Sequence, residues 1–200
     1  MINEILNNEE LIKMVISDLM GVTKYMNVGI LIALAYGAVY LFYVIGCKFL
    51  KKDRKLSTGH AIAVFALLIY LTSILFIVFV SREPGQFEGV NLELWSSWGK
   101  TTLWRAMFIE NIIMFIPMGI LLPGAFRKFR NPLICVITCV ALSIIIETVQ
   151  YIFKLGIFEL DDVVTNTLGG GIGWLIWAVL WLVYLGIGKI FSNSRKEKDK

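Results

Sequence analysis

Of the 200 residues only one is histidine and three are cysteine, and charged side chains make up 17%. A single histidine gives no imidazole cluster from which a metal centre could be built. The three thiols, Cys47, Cys135 and Cys139, all fall inside apolar runs, where free cysteine behaves as a small buried hydrophobe; no disulfide framework is implied. So little charge does not cover the surface of a water-soluble domain. The opening residues MINEILNNEE are polar and acidic, without the basic region and apolar core of a cleavable leader. No nucleophile motif and no inverted repeat is evident.

What the chain has in excess is apolar surface: 58% of residues are hydrophobic and the mean hydropathy is +0.75. A helix rising 1.5 Å per residue needs roughly 20 apolar residues to cross a hydrocarbon core of about 30 Å. Runs of that kind occupy residues 28–50, 60–80, 105–126, 132–153 and 163–191. Unpaired strands cannot face lipid, so the expectation is an all-α, polytopic membrane bundle of five helices. The basic clusters KKDRK (51–55), RKFR (127–130) and RKEKDK (195–200) follow the first, third and fifth spans. Lysine and arginine concentrate on the cytoplasmic side, which places the N-terminus outside and the C-terminus inside.

The net charge of +4 is then accounted for by topology and anionic headgroups, and no nucleic-acid partner is expected. The chain divides into an extracytoplasmic amphipathic segment (1–27), two spans read as packing (28–80), a core of loop and three spans (81–191) and a basic cytoplasmic tail (192–200). Within the first segment Leu11, Ile12, Val15, Ile16, Leu19 and Met20 fall near one face. Two alternatives stay open there: a helix lying on the outer leaflet, or a helical extension of the first span.

A charged side chain at the centre of a spanning helix costs roughly 2.5 to 3.5 kcal/mol on insertion scales, so polar residues inside spans call for a function or a partner. In the third span Asn111, beside Glu110, lies seven residues past the interfacial Trp104, about 10 Å deeper. Pro117 favours a kink below it, and Gly119 allows close approach. In the fourth span Glu147 sits at a similar depth, with Gln150 and Tyr151 following at i+3 and i+4. At the fifth, Glu159, Asp162, Asn166, Gly169 and Gly173 form one helical stripe whose lower part is the small-residue spacing of closely packed membrane helices. The expectation is an outward-facing polar pocket drawn from Asn111, Glu147, Gln150, Tyr151, Asp161, Asp162 and Asn166, with Pro117, Gly119, Gly169 and Gly173 in packing roles. Simpler roles remain for some of these. Asp161 and Asp162 also suit helix capping, Asp161 standing about 100° off the stripe, and Glu147 bonded to Asn111 would be structural glue.

Three motifs in the same order resemble the VanZ-like family of small bacterial membrane proteins: NIIMFIPMG (111–119), ETVQ (147–150) and LGIFELDDVVTNTLGG (155–170). The resemblance covers about residues 80–190. Many members have arginine after the loop glycine, where this chain has Ile157, and aspartate where it has Glu159. A positive charge at the loop would come from Arg82, Lys100 or Arg105. The resemblance implies residence in the bacterial cytoplasmic membrane and lowered susceptibility to lipoglycopeptides, teicoplanin more than vancomycin, without remodelling of the peptidoglycan precursor.

Three functions fit these residues. The first is binding of a membrane lipid or a lipoglycopeptide in the pocket, with Trp95, Trp98 and Trp104 at the rim. The second is an intramembrane enzyme acting on a lipid-linked substrate, with Glu147 and Asp162 as acid and base, or with Asp161, Asp162 and Glu147 around a divalent cation. The third is a proton-coupled transporter, which five spans in one chain favour least and which a homo-oligomer joined through Gly169 and Gly173 would restore. No cofactor is expected, and no metal site is compelling.

Overall fold

A computed structural model describes residues 2–53, 57–85, 89–96, 98 and 101–198. Lys100 and parts of two basic clusters (Arg54, Lys55 and Lys200) lie outside the described residues. Among these residues six α-helices carry the fold: α1 (Ile2–Gly21), α2 (Thr23–Phe49), α3 (Thr58–Leu75), α4 (Thr102–Ala125), α5 (Pro132–Ile152) and α6 (Leu160–Lys198). Among the described residues five stretches are long and apolar enough to cross a membrane: Tyr25–Phe49, Thr58–Val80, Thr102–Ala125, Pro132–Ile152 and Leu160–Ile187. The protein is thus an all-α polytopic membrane bundle.

Helix ends follow local chemistry. Ser57, Thr101 and Asn131 cap α3, α4 and α5 by accepting backbone N–H bonds from the first turn, and Pro132 opens α5 where its missing N–H costs nothing. α5 stops at a left-handed Lys154 (φ 56°), with the Leu155 amide donating back to the Gln150 carbonyl at 2.8 Å. α3 runs into a π-helical turn, Phe76–Val80, closed by the Ser81 amide on the Phe76 carbonyl at 2.9 Å.

The closest helix pair is α4 with α6. A Cβ added to Gly169 would fall onto the Ile112 carbonyl oxygen, one on Gly173 onto that of Ile116, and one on Gly119 onto that of Gly170. Glycines on this stripe let the two backbones touch directly. Gly169 and Gly173 are therefore occupied within the chain rather than presented to a second copy. On the other flank α2 packs on α3, Gly29 lying against the backbone of Ile69. The apolar core gathers Leu67 of α3, Phe115, Met118 and Leu122 of α4, and Cys135 and Cys139 of α5. The three cysteines are free thiols.

The two ends of the bundle differ. At the basic end His60 Nδ1 donates to the Ala125 carbonyl at 2.7 Å, and Trp174 Nε1 to that of Phe129 at 3.2 Å. Arg130 lies over Trp181 at 4.5 Å. At the opposite end the loop after α3 is fastened to the α5–α6 loop. Two-residue parallel strands, β1 (Val90–Asn91) and β2 (Phe158–Glu159), pair Val90 with Phe158 and Asn91 with Glu159. The Gly85 amide also donates to the Lys154 carbonyl at 2.8 Å.

Candidate functional site

Beneath that fastened loop lies a cavity of ≈300 Å³ between α1, α3, α4, α5 and α6. Asn111 comes from α4, Glu147 and Gln150 from α5, and Asp162 and Asn166 from α6. Each arrives there by helical spacing. On α5 the residues Cys135, Cys139, Ser143, Glu147 and Gln150, spaced by four, four, four and three, are all buried, which is one face of the helix. On α6 the stripe continues from Asn166 down to the glycines that seat the helix against α4. The close packing of α4 and α6 thus fixes where Asn111 stands relative to Asp162.

Hydrogen bonds hold the walls. Asn166, 1% exposed, donates from Nδ2 to Ser143 Oγ at 2.9 Å. Gln150 Nε2 donates to the Val78 carbonyl in the π turn at 3.2 Å. The amide of Glu159 donates to Glu147 Oε2 at 3.3 Å, while Asn91 Nδ2 donates to Glu159 Oε1 at 3.1 Å, tying the loop ladder to the cavity. Below the polar layer Tyr70 donates its hydroxyl to the Met114 carbonyl at 2.8 Å, in the turn that Pro117 disturbs.

Two of the expected pocket residues stand elsewhere. Tyr151 is 46% exposed and does not line the cavity, since i+4 from Glu147 rotates it past the edge that Gln150 occupies at i+3. Asp161 is buried outside the cavity, its Oδ1 accepting the Trp95 amide at 2.6 Å. It anchors a loop residue whose φ is 63°. The three-carboxylate set of Asp161, Asp162 and Glu147 is therefore not gathered on one ion. Among the described residues no group of three or more His, Cys, Asp or Glu is placed to hold a metal.

Several lining residues come from outside the motifs. The second span is a wall of the cavity and not packing alone: Tyr70, Ser73, Ile74, Ile77 and Val78 all line it. α1 is a separate helix that packs on α4; it contributes Asp18 and Leu19, and Val22 follows from the junction with α2. Its buried side is Val15, with Leu11 and Met14 partly covered, whereas Ile12, Ile16 and Met20 are exposed. Asp18 interrupts the apolar face of α1, and that interruption is the signal that it faces a polar cavity. Glu110 also lines the site, and its Oε1 has no hydrogen-bond partner.

A second, outer cavity of ≈670 Å³ adjoins the first and shares Arg82, Met107 and Asp162 with it. Trp104, Leu155, Gly156 and Glu159 line it. A Cβ on Gly156 would come within 2.8 Å of Arg82 Nη1, so the guanidinium rests on the loop glycine. Of the two described basic residues proposed for the loop, Arg82 and Arg105, Arg82 is the one that reaches it. Arg105 instead donates from Nε to the Trp98 carbonyl at 3.0 Å. Trp95 and Trp98 pack on Phe108 at 5.8 and 5.1 Å and are about half exposed, leaving Trp104 as the tryptophan that lines a cavity.

Comparison with known proteins agrees with this arrangement of motifs. Protein VanZ of Enterococcus faecium is 39% identical over 71 residues, an alignment spanning 32% of this chain and 40% of that protein. No solved structure matches. A family model described as VanZ/LLP1 matches residues 38–182, which takes in α3 to α5, the cavity-lining part of α6 and both fastened loops; the chain belongs to the VanZ/LLP1 family.

Proposed function

We propose that the protein lowers susceptibility to teicoplanin and related lipoglycopeptides by binding an amphiphile, a membrane lipid or the drug's acyl-bearing end, in the cavity under the fastened loop. The acidic end then faces outward from the bacterial cytoplasmic membrane. The observation that carries this reading is the junction of two cavities. The outer one is large and has Trp104 in its wall, and the inner one combines five polar motif residues with apolar walls from α3, α4 and α5. Membrane affinity grows by about 0.8 kcal/mol per buried CH₂, so a site at this level selects for acyl chains. Native mass spectrometry of the purified protein tests the reading. Retention of lipid or teicoplanin adducts that dissociate on Asn166→Ala substitution is expected; a bare protein whose thermal stability is unmoved by either ligand would contradict it.

An enzymatic reading keeps one specific support, because Glu147 and Asp162 face the same cavity from different helices. In that reading they act as acid and base on a lipid-linked envelope substrate. Comparison of the lipid inventories of a deletion strain carrying wild type or Glu147→Gln distinguishes the two: a difference favours chemistry, and identical inventories with resistance retained exclude it.

A further inference from the structure

We infer that the inner cavity receives a primary ammonium group, carried on a zwitterionic phospholipid of the ethanolamine class. The inference rests on the amphiphile-binding reading and names the headgroup that the site fits.

The first support is charge. Asp18, Glu110, Glu147 and Asp162 line the inner cavity, and Arg82 is the single basic side chain among the described lining residues. Carboxyls crowded together in walls of low dielectric ionise readily only with a cation beside them, so a positively charged group completes such a set.

The second support is the direction of the hydrogen bonds, and it is independent of charge. Four of the donors around the cavity are turned into the protein: Tyr70 to Met114, Ser73 to Ile69, Gln150 to Val78 and Asn166 Nδ2 to Ser143. Two acceptor atoms are left over. Asn166 is 1% exposed, lines the cavity, and its Oδ1 has no partner; Glu110 Oε1 has none either. An unpaired buried acceptor is costly and rare in a folded protein. The missing partner is a ligand that supplies several N–H donors with positive charge, which is what a primary ammonium offers and a trimethylammonium does not.

The third support is Arg82. It sits where the inner and outer cavities meet and rests on Gly156. A guanidinium there suits the phosphate ester adjoining the amine, with the ammonium directed inward to the carboxylates.

Thermal unfolding of the purified full-length protein in detergent, with added phosphatidylethanolamine, phosphatidylcholine or phosphatidylglycerol of identical acyl chains, tests this. Phosphatidylethanolamine is expected to raise the midpoint with an apparent affinity about tenfold tighter than the other two, the size of one charged hydrogen-bond contact. Soluble glycerophosphoethanolamine is expected to give no shift; a shift would assign the site to a free amine and overturn the lipid part. Asp18→Asn, on the surface-packed α1, and Glu110→Gln are each expected to remove the ethanolamine advantage. Equal stabilisation by all three lipids would overturn the ammonium inference and leave amphiphile binding standing. Stabilisation by none would remove both.

Discussion

Gln150 shares the buried face of α5 with Glu147, yet its amide nitrogen turns to the carbonyl of Val78 in the π turn. That carbonyl belongs to the last turn of the second span, where helical partners run out. Replacement of Gln150 by leucine keeps the volume and removes the donor. The expected loss is about 1 to 2 kcal/mol of stability, as for other buried unsatisfied carbonyls, read as a lowered unfolding midpoint in detergent. Asp161 offers a cleaner case, since its Oδ1 holds the Trp95 amide. Asp161→Ala should speed hydrogen exchange at Trp95 by an order of magnitude or so, while Asp161→Asn, which keeps an acceptor oxygen, should change it far less. The same rate in all three proteins would show that this bond does not hold the loop. At this scale the sequence carried the spacing of Glu147 and Gln150 and the α6 stripe, while Ser143 one turn below them emerged only as the partner of Asn166. Arg82 and Asp18 were not legible as lining one cavity with Glu147 and Asp162, because they arrive from segments roughly 65 to 145 positions away along the chain and spacing rules reach only a few turns.

The helices meet through glycines whose roles differ by neighbour. Gly169 and Gly173 leave no room for a Cβ against the α4 carbonyls, Gly170 crowds Cys139 Sγ, and Gly171 has nothing within 4 Å. Gly169→Ala or Gly173→Ala should destabilise by about 1 to 3 kcal/mol as the helices are forced apart. Gly171→Ala should be neutral or stabilising by up to about 1 kcal/mol through helix propensity. Equal effects at all three positions would contradict the α4–α6 contact. The spacing of Gly169 and Gly173 announced a close helix contact, but the partner, α4, became visible only in three dimensions. The short β1–β2 ladder was not expected at all. Two paired residues per strand are too few to leave an alternation pattern, and their pairing depends on two loops brought together by the bundle.

Across the whole molecule the basic clusters and the fastened loop lie at opposite ends of the five spans found among the described residues, and the outer cavity is lined by residues of the loop end, among them Arg82, Gly156 and Glu159. The positive-inside rule then predicts a cytoplasmic C-terminus. A C-terminal fluorescent-protein fusion should be bright and the corresponding alkaline-phosphatase fusion inactive; the reverse pattern would turn the cavity toward the cytoplasm and remove its access to an external drug. The number of spans was legible because about 20 apolar residues leave few other folds in lipid. The contribution of α1 to the cavity was not, since its amphipathic face suits a lipid surface and a protein flank equally well.

The central claim is that protection is exerted from the cavity built by Asn111, Glu147, Asp162 and Asn166. Its most direct measurement is the susceptibility of a deletion strain to teicoplanin and vancomycin side by side, with wild type, Glu147→Gln, Asp162→Asn and Asn166→Ala at matched membrane abundance. The account predicts that wild type raises tolerance of teicoplanin more than of vancomycin and that each variant loses most of that difference. Full protection by all three variants would contradict it.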